Sequence, residues 1–108
     1  MNRGDMVELN MHKMLCVGKI KDAKTYLGVL QEYRATQEQM DIILQEGTLT
    51  ELSLDAIYTC TIHSQSEQVC CTGRVRERYC NENGKMFVFD IDNGFYKINI
   101  NKVDNQMW

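Results

Sequence analysis

Proline does not occur in this chain of 108 residues. The residue that most often guards an exposed strand edge is therefore missing, and closing a sheet on itself is one way to manage without it. Glycine comes to only 7, so no stretch reads as a flexible linker between domains. A basic excess is lacking as well. The net charge is −3 and the isoelectric point is near 5.3, which argues against nucleic acid as a partner and offers no bulk attraction to an anionic membrane. No apolar run approaches the roughly 20 residues of a membrane-spanning helix. The opening Met1-Asn2-Arg3-Gly4-Asp5 leads into mixed polar sequence rather than the apolar stretch of a signal peptide. A cytoplasmic protein is the resulting expectation.

Metal and catalytic patterns are also scarce. Five cysteines occur, Cys16, Cys60, Cys70, Cys71 and Cys80, with no Cys-x-x-Cys spacing among them. Cys70 and Cys71 are adjacent, so on a strand they point to opposite faces and do not chelate one ion. An odd cysteine count without a signal peptide reads as reduced, buried thiols rather than a disulfide framework. His12 and His63 stand far apart and lack a His-x-x-x-His partner. No glycine-rich phosphate loop and no arguable Ser-His-Asp arrangement is present. Asp90 and Asp92 flank Ile91, but such a pair next to an Asn-Gly more often serves turn chemistry than acid–base work. The expectation is a non-enzymatic protein with no cofactor and no metal.

What is present is alternation. Residues 69–79 read Val-Cys-Cys-Thr-Gly-Arg-Val-Arg-Glu-Arg-Tyr. At a period of two, Val69, Cys71, Gly73 and Val75 share one face of a strand, while Cys70, Thr72, Arg74, Arg76 and Arg78 share the other. Three guanidinium groups would stand in a row about 7 Å apart. Guanidinium forks suit phosphate or carboxylate oxygens, so Arg74, Arg76 and Arg78, with Arg34 as the nearest other donor, are the candidate anion-binding residues. The competing reading is a solvated barrel face whose arginines pair with cross-strand acids such as Glu67, Asp90 and Asp92.

Further strands are expected at residues 13–20, 25–33, 40–44, 56–62 and 85–91. Residues 1–12 read as an N-terminal arm, and residues 101–108 as a tail ending on Met107-Trp108. Residues 34–39 fit either one helical turn or a hairpin connection. Asn83-Gly84 is a strong hairpin signal, and Asp92-Asn93-Gly94 reads as a second turn leading into a closing strand at 95–100. Gly28 is a candidate bulge. Tyr26, Tyr33, Phe87, Phe89, Phe95 and Tyr96 are better placed as core or cross-strand pairs than as a stacking surface for single strands. Six or seven short strands with frequent turns give an all-β fold, a small antiparallel barrel of about six strands over residues 13–100 with little helix.

The segment Ile57-Tyr58-Thr59-Cys60-Thr61-Ile62, then Val69 to Arg78 around Gly73, then Phe87-Val88-Phe89, resembles the second half of a PilZ domain. The likeness covers about residues 26–89 and rests on apolar positions around one glycine. It implies a six-stranded split barrel acting in bacterial signalling by binding a partner protein, or an anionic nucleotide such as cyclic di-GMP. The chain departs from the nucleotide-gripping signatures of that family. The leading Arg-x-x-x-Arg is missing, and Glu32-Tyr33-Arg34-Ala35-Thr36-Gln37 stands where an Asp/Asn-x-Ser-x-x-Gly would fall. The alternative is a barrel of SH3, Sm or OB type that works by self-association as a homo-oligomer.

Overall fold

The computed structural model describes residues 1–15, 24–65 and 67–97. Six antiparallel strands, β1 (Met6–Met14), β2 (Thr25–Arg34), β3 (Gln39–Glu46), β4 (Ala56–His63), β5 (Gln68–Asn81) and β6 (Gly84–Lys97), form a closed barrel in the order β1-β2-β3-β6-β5-β4. Two three-stranded meanders are thus joined edge to edge, by β3 against β6 and by β1 against β4. One short 3-10 turn, Leu49–Glu51, links β3 to β4. The all-β antiparallel barrel expected from the alternation is the fold.

Inward positions follow the period of two. Val7, Leu9 and Met11 from β1, Tyr26 and Leu30 from β2, and Met40, Ile42 and Leu44 from β3 meet Tyr58, Cys60 and Ile62 from β4 in one core. Val69, Cys71 and Val75 from β5 and Phe87, Phe89 and Ile91 from β6 complete it. No polar or charged residue is buried among the described residues. Tyr26 and Tyr58 meet edge to face at 6.5 Å, a favoured aromatic geometry. Their hydroxyls reach out of the apolar interior toward the segment that closes one mouth of the barrel. Tyr26 Oη donates to the carbonyl of Glu51, and Tyr58 Oη accepts from the amide of Ser53 at 2.8 Å. Leu52, in the same segment, is fully buried and belongs to the same core cluster as the two tyrosines.

Several expectations are corrected. Residues 6–12 are not an arm but most of β1, because Val7, Leu9 and Met11 alternate with Glu8, Asn10 and His12 and so offer one apolar face. Of the strand expected at 13–20, Lys13 and Met14 end β1, and residues 16–20 lie outside the described residues. Of the two forms expected for residues 34–39, the hairpin connection is the one present, with the amides of Gln37 and Glu38 bonded to the carbonyls of Arg34 and Ala35 and Glu38 at φ 54°. Asp92-Asn93-Gly94 does not turn. β6 runs straight through it, and the extra residues are absorbed as bulges where Thr72 pairs with Asn93 and Gly73 with Ile91. Asn93 Nδ2 donates to Thr72 Oγ1 at 2.9 Å across that irregularity. The closing strand at 95–100 is therefore the end of β6 through Lys97, and residues 98–108, including the expected tail, lie outside the described residues.

Candidate anion-binding face

β5 keeps its expected alternation only as far as Val75. There the register slips: Val75 pairs with Phe89, but Glu77 pairs with Val88. One residue, Arg76, is bulged out, and every later side chain changes face. Arg78 consequently lies opposite Phe87, an inward-facing core residue. The expected row of three arginines on one face is corrected to two.

Arg78 instead closes the barrel mouth. Its Nη1 donates to the carbonyl oxygens of Thr50 at 3.1 Å and Leu52 at 2.7 Å. Thr50 lies within the 3-10 turn and Leu52 follows it, and so short a turn cannot satisfy its own acceptors, so the guanidinium has a structural task. Arg78→Ala is expected to lower stability by about 1–2 kcal/mol, against about 0.5 kcal/mol or less for Arg74→Ala. Urea unfolding midpoints of the two variants compare these values directly, and equal losses would remove the assignment of Arg78 to the mouth.

Arg74 and Arg76 remain on the outer wall, where each meets an aspartate of β6. Arg76 Nη1 lies 3.1 Å from Asp90 Oδ2, and Arg74 Nε lies 3.7 Å from Asp92 Oδ2. Arg34, at the end of β2, joins the same wall. It binds the Asp41 carboxylate of β3, lies 3.7 Å from Glu32 Oε2, and donates to Gln39 Oε1 at 3.1 Å. Gln39 Nε2 passes the chain on to Asp90 Oδ1 at 2.8 Å. The Asp41 hydrogen bond and charge push the Arg34 guanidinium pKa up, beyond its desolvation. A polar band thus crosses β2, β3, β6 and β5 in the sequence Glu32, Arg34, Gln39, Asp90, Arg76, with Arg74 and Asp92 beside it.

The electrostatics of this band do not favour an anion. Three arginines face four carboxylates, so the local field is not positive. An incoming phosphate would have to displace Asp90 and Asp92 from guanidiniums that are half exposed, at 52% for Arg74 and 62% for Arg76. Pairs this exposed contribute about 0–1 kcal/mol each, so the band orders the wall more than it stabilises it. Glu67, the third acid expected near the row, lies in the turn before β5. The structure brings together Arg34, Arg74 and Arg76 from the candidate set and leaves Arg78 apart.

A second polar group, on the β1–β4–β5 wall, escapes sequence reading. His63 Nε2 lies 2.6 Å from Glu8 Oε1, and Gln68 Nε2 lies 3.0 Å from His63 Nδ1. Nearby, Ser64 Oγ donates to Asp5 Oδ2 at 2.9 Å. His63 is thus half-buried between two partners rather than a free surface residue, while His12 is exposed. Glu8 and His63 lie in strands that meet only on barrel closure, and with residues 1–12 read as an arm no signal joins them.

The expectation of buried thiols holds for Cys60, Cys70 and Cys71 but is corrected for Cys80, which is exposed near the end of β5, and Cys16 lies outside the described residues. Cys60 and Cys71 are direct cross-strand partners and fully buried. A hydrogen bond between them, together with burial, pushes the Cys60 thiol pKa well up, which disfavours the reactive thiolate. Cys70 points outward but is also buried, with its Sγ 3.4 Å from Thr61 Oγ1. Among the described residues no group of three or more His, Cys, Asp or Glu side chains is placed to hold a metal ion. Of the aromatics, Tyr26, Phe87 and Phe89 are core, and Tyr33 meets Phe95 edge to face at 5.4 Å. Among the described residues no helix is long and apolar enough to cross a membrane. Compared with known protein families, with curated proteins and with solved structures, the chain finds no match in any of the three.

Proposed function

We propose that this chain is a non-enzymatic binding module, a PilZ-like adaptor barrel that works in the cytoplasm of a bacterium through a partner protein rather than through cyclic di-GMP. The observation that carries the protein-binding version is the engagement of the arginines: Arg74 and Arg76 sit on Asp92 and Asp90, and Arg78 sits on the carbonyls of Thr50 and Leu52. An anionic nucleotide needs guanidiniums whose charge is not already compensated. The PilZ-like part of the reading is supported by the way the residues that carry the resemblance fall on three successive strands, β4, β5 and β6, of a closed six-stranded barrel. The non-enzymatic part is supported by an interior in which no polar or charged residue is buried among the described residues, and by the Cys60 thiol, whose burial and hydrogen bond to Cys71 push its pKa up.

Titration calorimetry of the full chain with cyclic di-GMP tests this directly. No heat is expected up to high micromolar ligand. Stoichiometric binding that is lost in Arg74→Ala or Arg76→Ala would overturn the adaptor version and restore the outer wall as a nucleotide site.

A further inference from the structure

Barrel closure hides most strand edges, but not all of them. β4 accompanies β5 only from Gln68 to Gly73, whereas β6 accompanies it to Asn81. Beyond the bulge, residues 77–81 therefore carry one edge that no strand of the described residues covers. The guards there are the bulge at Arg76 and the charges of Glu77 and Arg78; the chain has no proline, Lys85 belongs to β6 on the opposite side of the hairpin, and past Arg78 the edge residues Tyr79, Cys80 and Asn81 carry no charge. Such an edge presents unpaired backbone amides and carbonyls in strand geometry, and the ligand that matches them is another extended strand.

We propose that this edge pairs, antiparallel and about a twofold axis, with the same edge of a second copy of the chain, with Tyr79 at the axis. The inference goes beyond the reading above and does not depend on which partner or nucleotide the barrel binds. Symmetry restricts the register, because a twofold axis normal to the sheet must pass midway between one residue and its own copy and keeps every side chain on its own face. An axis through Glu77 or Arg78 sets like charges directly opposite, which is unfavourable. An axis through Cys80 shortens the ladder, since the hairpin turns back after Asn81. An axis through Tyr79 places Glu77 opposite Asn81 of the second copy and Arg78 opposite Cys80, with no like charges facing.

The outer wall agrees with that register. Met6, Val29, Ile43, Met86 and Tyr79 are successive cross-strand neighbours on β1, β2, β3, β6 and β5. This apolar row stops at Tyr79 on the open edge, and pairing about Tyr79 joins the rows of two barrels into one. An acidic peptide fits the same edge less well, because Arg74, Arg76 and Arg78 are already engaged and Glu77 would repel it. The paired segment is short, so association belongs with weak interfaces.

Sedimentation equilibrium of the full chain over a wide concentration range should show a monomer–dimer equilibrium. Tyr79→Lys, which puts two ammonium groups at the axis, should weaken it roughly tenfold or more without moving the urea midpoint of unfolding. As a second readout that survives any folding defect of that variant, Tyr79→Cys/Cys80→Ser treated with the thiol oxidant diamide should yield a disulfide-linked dimer. Glu82→Cys/Cys80→Ser, whose cysteines the register keeps far apart, should yield far less. A single monomeric mass at every concentration, or equal crosslinking of the two variants, would overturn the proposal.

Discussion

Gly73→Ala is expected to destabilise the barrel by about 3 kcal/mol or more, the largest effect of any single-methyl change among its strands. Gly73 has no positive φ, so its backbone conformation is open to alanine and the penalty is purely one of space. A Cβ built there would stand 1.9 Å from the carbonyl oxygen of Asp90 and 2.9 Å from Phe89 Cε2. The first of these atoms is backbone in the neighbouring strand, which cannot swing aside as a flexible side chain would. Relief requires β5 and β6 to part at the place where their register is already irregular, between Thr72–Asn93 and Gly73–Ile91. Glycine within a strand commonly marks such a close approach of two backbones. Gly94 supplies the internal comparison. It too lies in β6 without a positive φ, but nothing stands within 4 Å of its added Cβ, so Gly94→Ala should be neutral or stabilise by about 0.5 kcal/mol. Urea unfolding of both variants decides the matter, and a Gly73→Ala midpoint near that of the parent would mean that the two backbones do not approach as described.

Leu52→Ala should cost about 2–4 kcal/mol, a core-sized penalty from a residue that belongs to no strand. Leu52 follows the 3-10 turn, donates its amide to the Leu49 carbonyl at 3.2 Å, and is fully buried in the barrel mouth. Around it converge the Tyr26 and Tyr58 hydroxyls and the Arg78 guanidinium, each bonded to the backbone of residues 50–53. Removing the isobutyl group leaves a void lined by rings that cannot collapse into it without breaking those bonds. The amide of Ser53, which is tied to Tyr58 Oη, should also exchange with solvent faster in the variant than in the parent, while amides of β3 should not. A loss below about 1 kcal/mol would show that the mouth segment rests on the barrel without being part of its core.

Much of the architecture is legible in the amino-acid order. The alternations at residues 25–33, 40–44, 56–62, 69–75 and 85–91 all lie in strands, because a half-buried strand needs one apolar face and these segments supply it. The hairpin signalled by Asn83-Gly84 also forms, with Glu82 and Asn83 as its loop and Gly84, the first residue of β6, at the positive φ of 115° that glycine accepts freely. The departures are equally physical. Asp92-Asn93-Gly94 has the chemistry of a turn, yet a turn forms only if the flanking segments pair with each other, and here both pair with β5 instead. Val7, Leu9 and Met11 carry a strand pattern, but it is short and set among the polar residues of the first twelve, so it stands out only once β2 and β4 lie alongside.

The candidate site shows where local reading stops. Composition and alternation by themselves determined an antiparallel barrel, the inward face of β5 through Val75, and an outer wall on which arginines and Asp90 and Asp92 would meet. Only the tertiary structure decided what those arginines do. The bulge at Arg76 has no signature in the sequence, because it arises from fitting β5 to β6 around a closing barrel. That single extra residue turned Arg78 from the outer wall to the mouth, while the open edge follows from β4 pairing with β5 only as far as Gly73. Strand faces are decided by side chains two apart, whereas register is decided by which strand lies alongside.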